Sequence, residues 1–123
     1  MATSVGLIGL GAMGLGMAKS LRRGGYEVHV YDIRREVADQ FAAQGGVACA
    51  SPAAVGAVCE VVVSVVVNAE QTETVLFGKD GAASAMRPGS AFVMCSTVPP
   101  AFAVSLGERL ERMGLLFLDA PIS

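Results

Sequence analysis

Three glycines near the start of the chain have the spacing of a diphosphate-binding turn. Gly9, Gly11 and Gly14 form G-x-G-x-x-G directly after an apolar stretch and before a segment with helical periodicity. Backbone N–H groups at the start of such a helix attract an anion, and the missing side chains let it approach. We therefore expect this turn to bind a dinucleotide pyrophosphate, with Gly9, Leu10, Gly11, Ala12 and Gly14 as the candidate residues. The alternative is a glycine turn that only joins a strand to a helix.

An acidic residue follows the second apolar stretch, where a dinucleotide would place its adenosine ribose. The Asp32 carboxylate can accept hydrogen bonds from the ribose hydroxyls and would repel the 2′-phosphate of NADP. We therefore expect NAD as the cofactor, with NADP less favoured. Two observations leave this open, since Arg34 and Arg35 could hold a 2′-phosphate and Asp32 could instead be a solvated turn residue.

Short Val/Ile/Leu-rich runs alternate with segments of helical spacing along the chain, which predicts an α/β fold. The fold class expected is a doubly wound parallel Rossmann sheet, strand order 3-2-1-4-5-6, with helices on both faces and right-handed crossovers. The predicted strands are Ser4–Ile8, Glu27–Tyr31, Val47–Cys49, Glu60–Val67, Ala91–Cys95 and Leu115–Asp119. The predicted helices are Met13–Arg23, Arg35–Gln44, a short one from Pro52 to about Val58, one opened by Asn68, and one from the Pro99-Pro100 pair to about Met113.

Composition excludes several classes of protein. Hydrophobic residues make up 53% and charged residues 16% of the 123 residues, which is typical of one well-packed domain over residues 1–123. A net charge of −2 argues against a nucleic-acid partner, and no apolar run approaches the length of a membrane span. Three cysteines and one histidine predict reduced, mostly buried thiols, no metal site, and a cytoplasmic protein. We expect His29, inside the second strand, to have only a packing or surface role.

The segment LIGLGAMGLGMAKSL, from Leu7 to Leu21, closely resembles the opening signature of the β-hydroxyacid dehydrogenase family. Three later stretches, Val65–Asn68, Ser96–Val98 and the final D-A-P-I-S, resemble later parts of that family's N-terminal domain. The combination of Val66–Thr72 with Ser96–Pro100 is most similar to its L-threonate dehydrogenase branch. The resemblance implies an NAD-binding domain of an oxidoreductase that transfers a hydride between a nicotinamide cofactor and a small hydroxy acid, such as L-threonate or 3-hydroxyisobutyrate.

The resemblance also implies roles for particular residues. Met13 would lie beside the pyrophosphate or the nicotinamide. Val67, Asn68 and Thr97 would contact the cofactor near its nicotinamide, and Ser123 would bind the substrate carboxylate. Asn68 and Thr97 have a second reading, because each could merely cap a helix. The family's general acid/base is a lysine beyond residue 123, so we expect no catalytic residue in this chain and no activity from it alone. A C-terminal helical domain for catalysis and dimerisation would then be absent, and the intact protein would be a homo-oligomer.

Two other functions fit parts of the same pattern. A non-enzymatic nucleotide-sensing module could use the same fold, because fold does not determine function. A domain that binds S-adenosylmethionine is a weaker alternative, because three glycines before a helix suit a pyrophosphate better. The D-A-P-I-S end favours the enzyme, and the stop just after a predicted strand suggests an incomplete sequence.

Overall fold

A computed structural model describes residues 3–120 and contains one six-stranded parallel sheet of order β3-β2-β1-β4-β5-β6. The predicted fold class and strand order are therefore confirmed. The strands are β1 (Ser4–Ile8), β2 (Glu27–Tyr31), β3 (Val47–Ala48), β4 (Val61–Ser64), β5 (Ala91–Met94) and β6 (Leu116–Asp119). The helices are α1 (Ala12–Arg23), α2 (Arg35–Ala43), α3 (Pro52–Val58), α4 (Ala69–Phe77) and α5 (Pro100–Arg112).

Two apolar cores lie on opposite faces of the sheet, because side chains alternate along each strand. On one face, Leu7 and Val30 pack against Ala18 of α1 and Phe41 of α2. On the other face, strands β1, β4 and β5 pack against α3, α4 and α5, through a cluster that includes Ile8, Val62, Phe92, Val55, Leu76 and Leu106. Strands β1 and β2 are thus covered by helices on both faces, the arrangement typical of parallel sheets.

One part of the sheet has little cover in the described chain. Helices α1 and α2 lie over β1, β2 and β3, whereas the same face of β6 leaves Leu116 and Leu118 62% and 57% exposed. Next to it, an open groove of about 1050 Å³ runs between α1 and β4 and is bounded by Met13, Met17 and Val61, among others. We call this region, from the groove to β6, the open apolar face.

Helix ends follow the local sequence. The Ser51 hydroxyl accepts a hydrogen bond from the Ala54 N–H at 3.1 Å, and Pro52 occupies the first turn of α3, as predicted. A bidentate ion pair joins α4 to α5, since both terminal nitrogens of Arg109 lie 2.7 Å from the carboxylate oxygens of Glu73. The Arg109 guanidinium also lies 3.9 Å from the centre of the Phe77 ring, a cation–π arrangement.

The fourth strand is shorter than the sequence predicts. We expected Glu60–Val67, but β4 ends at Ser64, which pairs with Ile8, the last residue of β1. The valines that follow are residues typical of strands, but β1 ends at Ile8, so they have no strand residue on that side to pair with. Instead, the Ser96 hydroxyl donates a hydrogen bond to the Val66 carbonyl, and the Gln71 side-chain oxygen accepts one from the Val67 N–H. The chain therefore turns into a loop here. Hydrophobic pattern alone does not reveal this end.

Other sequence predictions concern isolated polar groups. His29 is buried in β2 with its Nε2 atom 2.7 Å from a Glu27 oxygen, which agrees with a packing role. Cys59 and Cys95 are buried and Cys49 is half-buried, all as free thiols. Burial raises the pKa of each thiol, that of Cys59 to about 12. Across residues 3–120, every helix is too short or too polar to cross a lipid bilayer.

Candidate functional site

The glycine turn between β1 and α1 has the backbone geometry that its sequence predicts. Gly9 adopts φ = +98°, a region that side chains disfavour, and a Cβ there would lie 2.5 Å from the Val65 carbonyl oxygen. A Cβ at Gly14 would overlap the Gly9 carbonyl oxygen, so only glycine lets α1 start this close to the turn. Both positions require glycine for reasons internal to the fold, which fixes the direction of α1.

Gly11 differs from its two neighbours in the motif because no atom lies within 4 Å of the position that its Cβ would occupy. It is the N-cap of α1, where the structure shows no side-chain cap. The next two residues, Ala12 and Met13, are exposed, Met13 by 48%. The first-turn N–H groups have no partner within a helix, and the residues around them leave open space. This space and these donors fit a diphosphate.

The Asp32 carboxylate is buried and accepts hydrogen bonds from two segments. Its Oδ2 lies 2.6 Å from the Leu10 N–H of the glycine turn, and its Oδ1 lies 2.8 Å from the Arg34 N–H. The Arg34 guanidinium adds contacts of 3.1 and 3.4 Å. Burial acts to raise the pKa of Asp32, but the hydrogen bonds from Arg34 and Leu10 outweigh it and hold the pKa below its usual value. The interpretation of Asp32 as a solvated turn residue is wrong.

The strand ends bring the candidate residues to one edge of the sheet. Ile8 pairs with Tyr31 on one side and Ser64 on the other, and Ser64 pairs with Met94. The Gly9 N–H also donates to the Tyr31 carbonyl at 2.9 Å. The glycine turn, Asp32 and the loops after β4 and β5 therefore all leave the carboxyl edge, the place where open α/β sheets bind ligands.

The loop after β4 ends in a helix cap. The Asn68 side-chain oxygen accepts the Gln71 N–H at 2.9 Å, so the capping role predicted for Asn68 is confirmed. The Gln71 side-chain oxygen in turn accepts a hydrogen bond from the Val67 N–H at 2.9 Å. In a standard capping box the donor would be the N–H of the N-cap residue itself, one position later. Val67 is 77% exposed and Asn68 is also exposed, so both side chains remain accessible.

The loop after β5 places its two polar residues differently. Thr97 is exposed, and Pro99 rather than Thr97 is the N-cap of α5, so the alternative that Thr97 merely caps a helix is wrong. Ser96 is buried, and its hydroxyl donates to the Val66 carbonyl at 2.6 Å, which ties the two loops together. Ser123, the expected substrate ligand, lies outside the described residues.

Comparison with known families agrees with this geometry. The family described as the NAD binding domain of 6-phosphogluconate dehydrogenase matches residues 4–123. The chain belongs to this family. Because this family binds a nicotinamide dinucleotide, the S-adenosylmethionine alternative is excluded, and the chain is an NAD(P)-binding domain.

Individual members extend this result. The chain is 58% identical over its full length to L-threonate dehydrogenase from Cupriavidus necator and covers 41% of that protein. The crystal structure of 3-hydroxyisobutyrate dehydrogenase from Salmonella typhimurium superposes with a TM-score of 0.93 at 38% identity, over 98% of this chain and 42% of that one. The predicted resemblance to hydroxyacid dehydrogenases is confirmed, and the chain spans about two fifths of the length of these relatives.

The cofactor's identity within the family varies between neighbours. A solved structure named Psf3 in complex with NADP⁺ and 2-OPP has a TM-score of 0.89 and 28% identity, covering 97% of this chain and 42% of that chain. Membership of this NAD-binding-domain family therefore does not by itself distinguish NAD from NADP.

Sequence reasoning missed two functional features of this NAD-binding domain. The first is the bond from the Leu10 N–H to Asp32, which joins the glycine turn to the end of β2. The second is Ser96, whose buried hydroxyl links the loops after β4 and β5. The first had a usable signal, since a buried carboxylate needs donors and the glycine turn offers free N–H groups. The second had none, because a serine before an exposed threonine is common in loops.

Proposed function

We propose that this chain binds NAD for an oxidoreductase that transfers a hydride between a small hydroxy acid and the nicotinamide. The observation that carries the proposal is the open helix start at Gly11, placed beside a buried Asp32. The names of its relatives, L-threonate and 3-hydroxyisobutyrate dehydrogenases, support an enzyme over a nucleotide-sensing module and suggest those acids as substrates.

The pyrophosphate would lie at the turn from Gly9 to Gly14. Here the N–H groups of the first turn of α1 have no side-chain cap and would bind the anion, and the positive end of the helix dipole adds to the attraction. Leu10 supports the turn from beneath, because it is buried and its N–H is held by Asp32. Ala12 and Met13 would flank the diphosphate through their exposed positions in the first turn.

A preference for NAD over NADP follows from local charge. Asp32 and Asp39 line a cavity of about 190 Å³ beside the end of β2, together with Arg35, whose largely exposed guanidinium lies 4.0 Å from Asp39 rather than on Asp32. The lowered pKa keeps Asp32 ionised at neutral pH, so a 2′-phosphate placed here would meet a fixed negative charge. A ribose diol, by contrast, can donate hydrogen bonds to the carboxylate.

The nicotinamide end would lie at the loops after β4 and β5, against Val67, Asn68 and Thr97. Their exposed side chains at the carboxyl edge support this placement. The bound nicotinamide supplies the hydride chemistry. Ser123 would hold the substrate carboxylate, and a lysine beyond residue 123 would exchange the hydroxyl proton.

We propose that the rest of the intact protein packs on the open apolar face. The relatives extend well beyond the matched region, and the exposed Leu116 and Leu118 lie on β6, the last strand described. Exposed apolar strands of this kind mark surfaces that a further part of a protein covers. That part would be a helical domain for catalysis and dimerisation, so the intact protein would be a homo-oligomer.

The three free, poorly ionised thiols suit the cytoplasm.

The cofactor preference can be tested by calorimetric titration of the chain with NAD and NADP. Asp32→Asn removes the charge but keeps an acceptor for Leu10, so we expect the NAD:NADP affinity ratio to fall at least tenfold, on the order of one charged hydrogen bond. The exposed Asp39→Asn makes the same charge change nearby and should alter the ratio far less. Equal effects of the two variants would contradict the role of Asp32, and a folded chain that binds neither cofactor would refute the whole proposal.

The activity is a separate test, made on the intact protein with L-threonate and 3-hydroxyisobutyrate. Reduction of NAD with either acid supports the proposed enzyme, and the faster acid identifies the branch. Tight NAD binding without turnover of these or other small hydroxy acids would instead favour the sensing module.

A further inference from the structure

The Asp32 carboxylate has a complete set of hydrogen-bond partners within the protein. A carboxylate offers about four lone-pair positions. The Leu10 and Arg34 N–H groups take one position on each oxygen, at 2.6 and 2.8 Å. The Nε and Nη2 atoms of Arg34 take one further position on each oxygen, at 3.1 and 3.4 Å. A ribose hydroxyl that donates to Asp32 must therefore displace one of these donors.

The four donors differ in how easily they move. The Leu10 N–H belongs to a buried residue in the glycine turn, and the Arg34 N–H belongs to the backbone that starts α2. Moving either donor would disturb the fold. The Arg34 side chain is 55% exposed, and its bonds to Asp32 are the longer ones. An exposed guanidinium can rotate away at small cost. The ribose therefore competes with the Arg34 side chain.

We infer that Arg34 is a specificity-determining residue that reduces the discrimination of this domain between NAD and NADP. It opposes NAD by occupying the acceptor positions that the ribose diol needs. Once displaced, its guanidinium remains beside the ribose edge, where it can pair with a 2′-phosphate and offset the charge of Asp32. This inference rests on the proposed function, because it assumes that Asp32 lies at the adenosine ribose.

Arg35 provides a matched comparison. It carries the same charge one residue later, but its side chain is 79% exposed and its nearest carboxylate oxygen belongs to Asp39 at 4.0 Å. It therefore makes no hydrogen bond to Asp32 in the structure. A change at Arg35 alters the local charge as much as a change at Arg34 does, but leaves the acceptor positions of Asp32 filled.

The experiment compares Arg34→Gln with Arg35→Gln by calorimetric titration of NAD, NADP, 5′-AMP and 2′,5′-ADP. In Arg34→Gln we expect NAD and 5′-AMP to bind about threefold to fivefold more tightly, the scale of one exposed ion pair. We expect NADP and 2′,5′-ADP to bind about tenfold more weakly, the scale of a lost charged hydrogen bond. The affinity ratio therefore rises about thirtyfold to fiftyfold, whereas Arg35→Gln changes it less than about twofold.

Circular dichroism and thermal unfolding first establish that both variants are folded. If Arg34→Gln does not fold, Arg34→Lys, which keeps the charge, provides a second test. Arg34→Lys should retain part of the NADP affinity. A ratio that moves no more in Arg34→Gln than in Arg35→Gln would overturn the inference while leaving the cofactor site intact. A folded wild-type chain that binds none of the four ligands would refute the proposed function, and the inference with it.

Discussion

The close start of α1 predicts a sharp difference between two glycines on the same helix. Gly14 faces the turn, where an added Cβ would overlap the Gly9 carbonyl oxygen and lie 3.0 Å from the Gly9 carbonyl carbon. Gly16 lies one half-turn later, exposed, with no atom within 4 Å of its Cβ position. Gly14→Ala and Gly16→Ala therefore add the same methyl group to the same helix in opposite environments.

The expected magnitudes follow from these surroundings. Alanine in place of a helical glycine stabilises a helix by about 0.5–1 kcal/mol, and Gly16→Ala should show that gain. Gly14→Ala has the same benefit but must push α1 away from a backbone carbonyl, and overpacking of this kind costs about 1–3 kcal/mol. We expect Gly14→Ala to be less stable than Gly16→Ala by roughly the full overpacking cost. This difference corresponds to several degrees in the melting temperature of a domain this size.

Urea unfolding followed by circular dichroism measures the stability, and titration with NAD measures the consequence for the site. Displacing α1 moves the first-turn N–H groups, so Gly14→Ala should weaken NAD binding at least tenfold, on the scale of one lost charged hydrogen bond. Gly16→Ala should leave the affinity unchanged. The reasoning about close helix approach would be refuted if the two variants matched in both stability and affinity.

The remaining predictions concern charges and thiols. Folding lowers the pKa values of Asp32 and Glu73, so both carboxylates stabilise the fold above their unfolded pKa values of ~4, and this stabilisation is lost as the pH falls through the folded pKa values. The free energy of unfolding should therefore be smaller at pH 3 than at pH 7, and an unchanged free energy would contradict this. Arg109→Met should cost about 0.5–1 kcal/mol in urea unfolding, and Arg112→Met, which breaks only an exposed pair, less than half as much. The Cys59 thiol should resist a disulfide reagent until the chain unfolds, and rapid labelling of the native protein would show that its burial is wrongly assigned.

The sequence predicts the sheet order and the glycine turn because each depends on local, directional chemistry. A G-x-G-x-x-G between a strand and a helix admits few backbone paths, and the positive φ of Gly9 and the crowding at Gly14 agree with that expectation. The cap at Asn68 follows equally from local chemistry, since a side-chain acceptor three residues before an N–H forms within a single turn.

Features that depend on pairing between distant segments were less predictable. The end of β4 is set by where β1 ends, and a run of valines has no mark for that point. Thr97 has a side chain suited to capping a helix, but Pro99 occupies the N-cap position because the chain stays extended after β5. The guanidinium of Arg34 could point toward solvent or toward Asp32, and only the folded backbone decides between them.

The bond between Leu10 and Asp32 has a consequence for how cofactor preference can change. One oxygen of the carboxylate proposed to bind the ribose also anchors the main chain of the glycine turn. A replacement such as Asp32→Ser, chosen only to admit a phosphorylated sugar, would shorten the side chain and strand a buried amide hydrogen. A substitution at Asp32 that removes this acceptor would then need a second substitution that re-anchors Leu10, whereas Asp32→Asn, which keeps the acceptor, would not, so the two kinds of change are coupled to the glycine turn to different degrees.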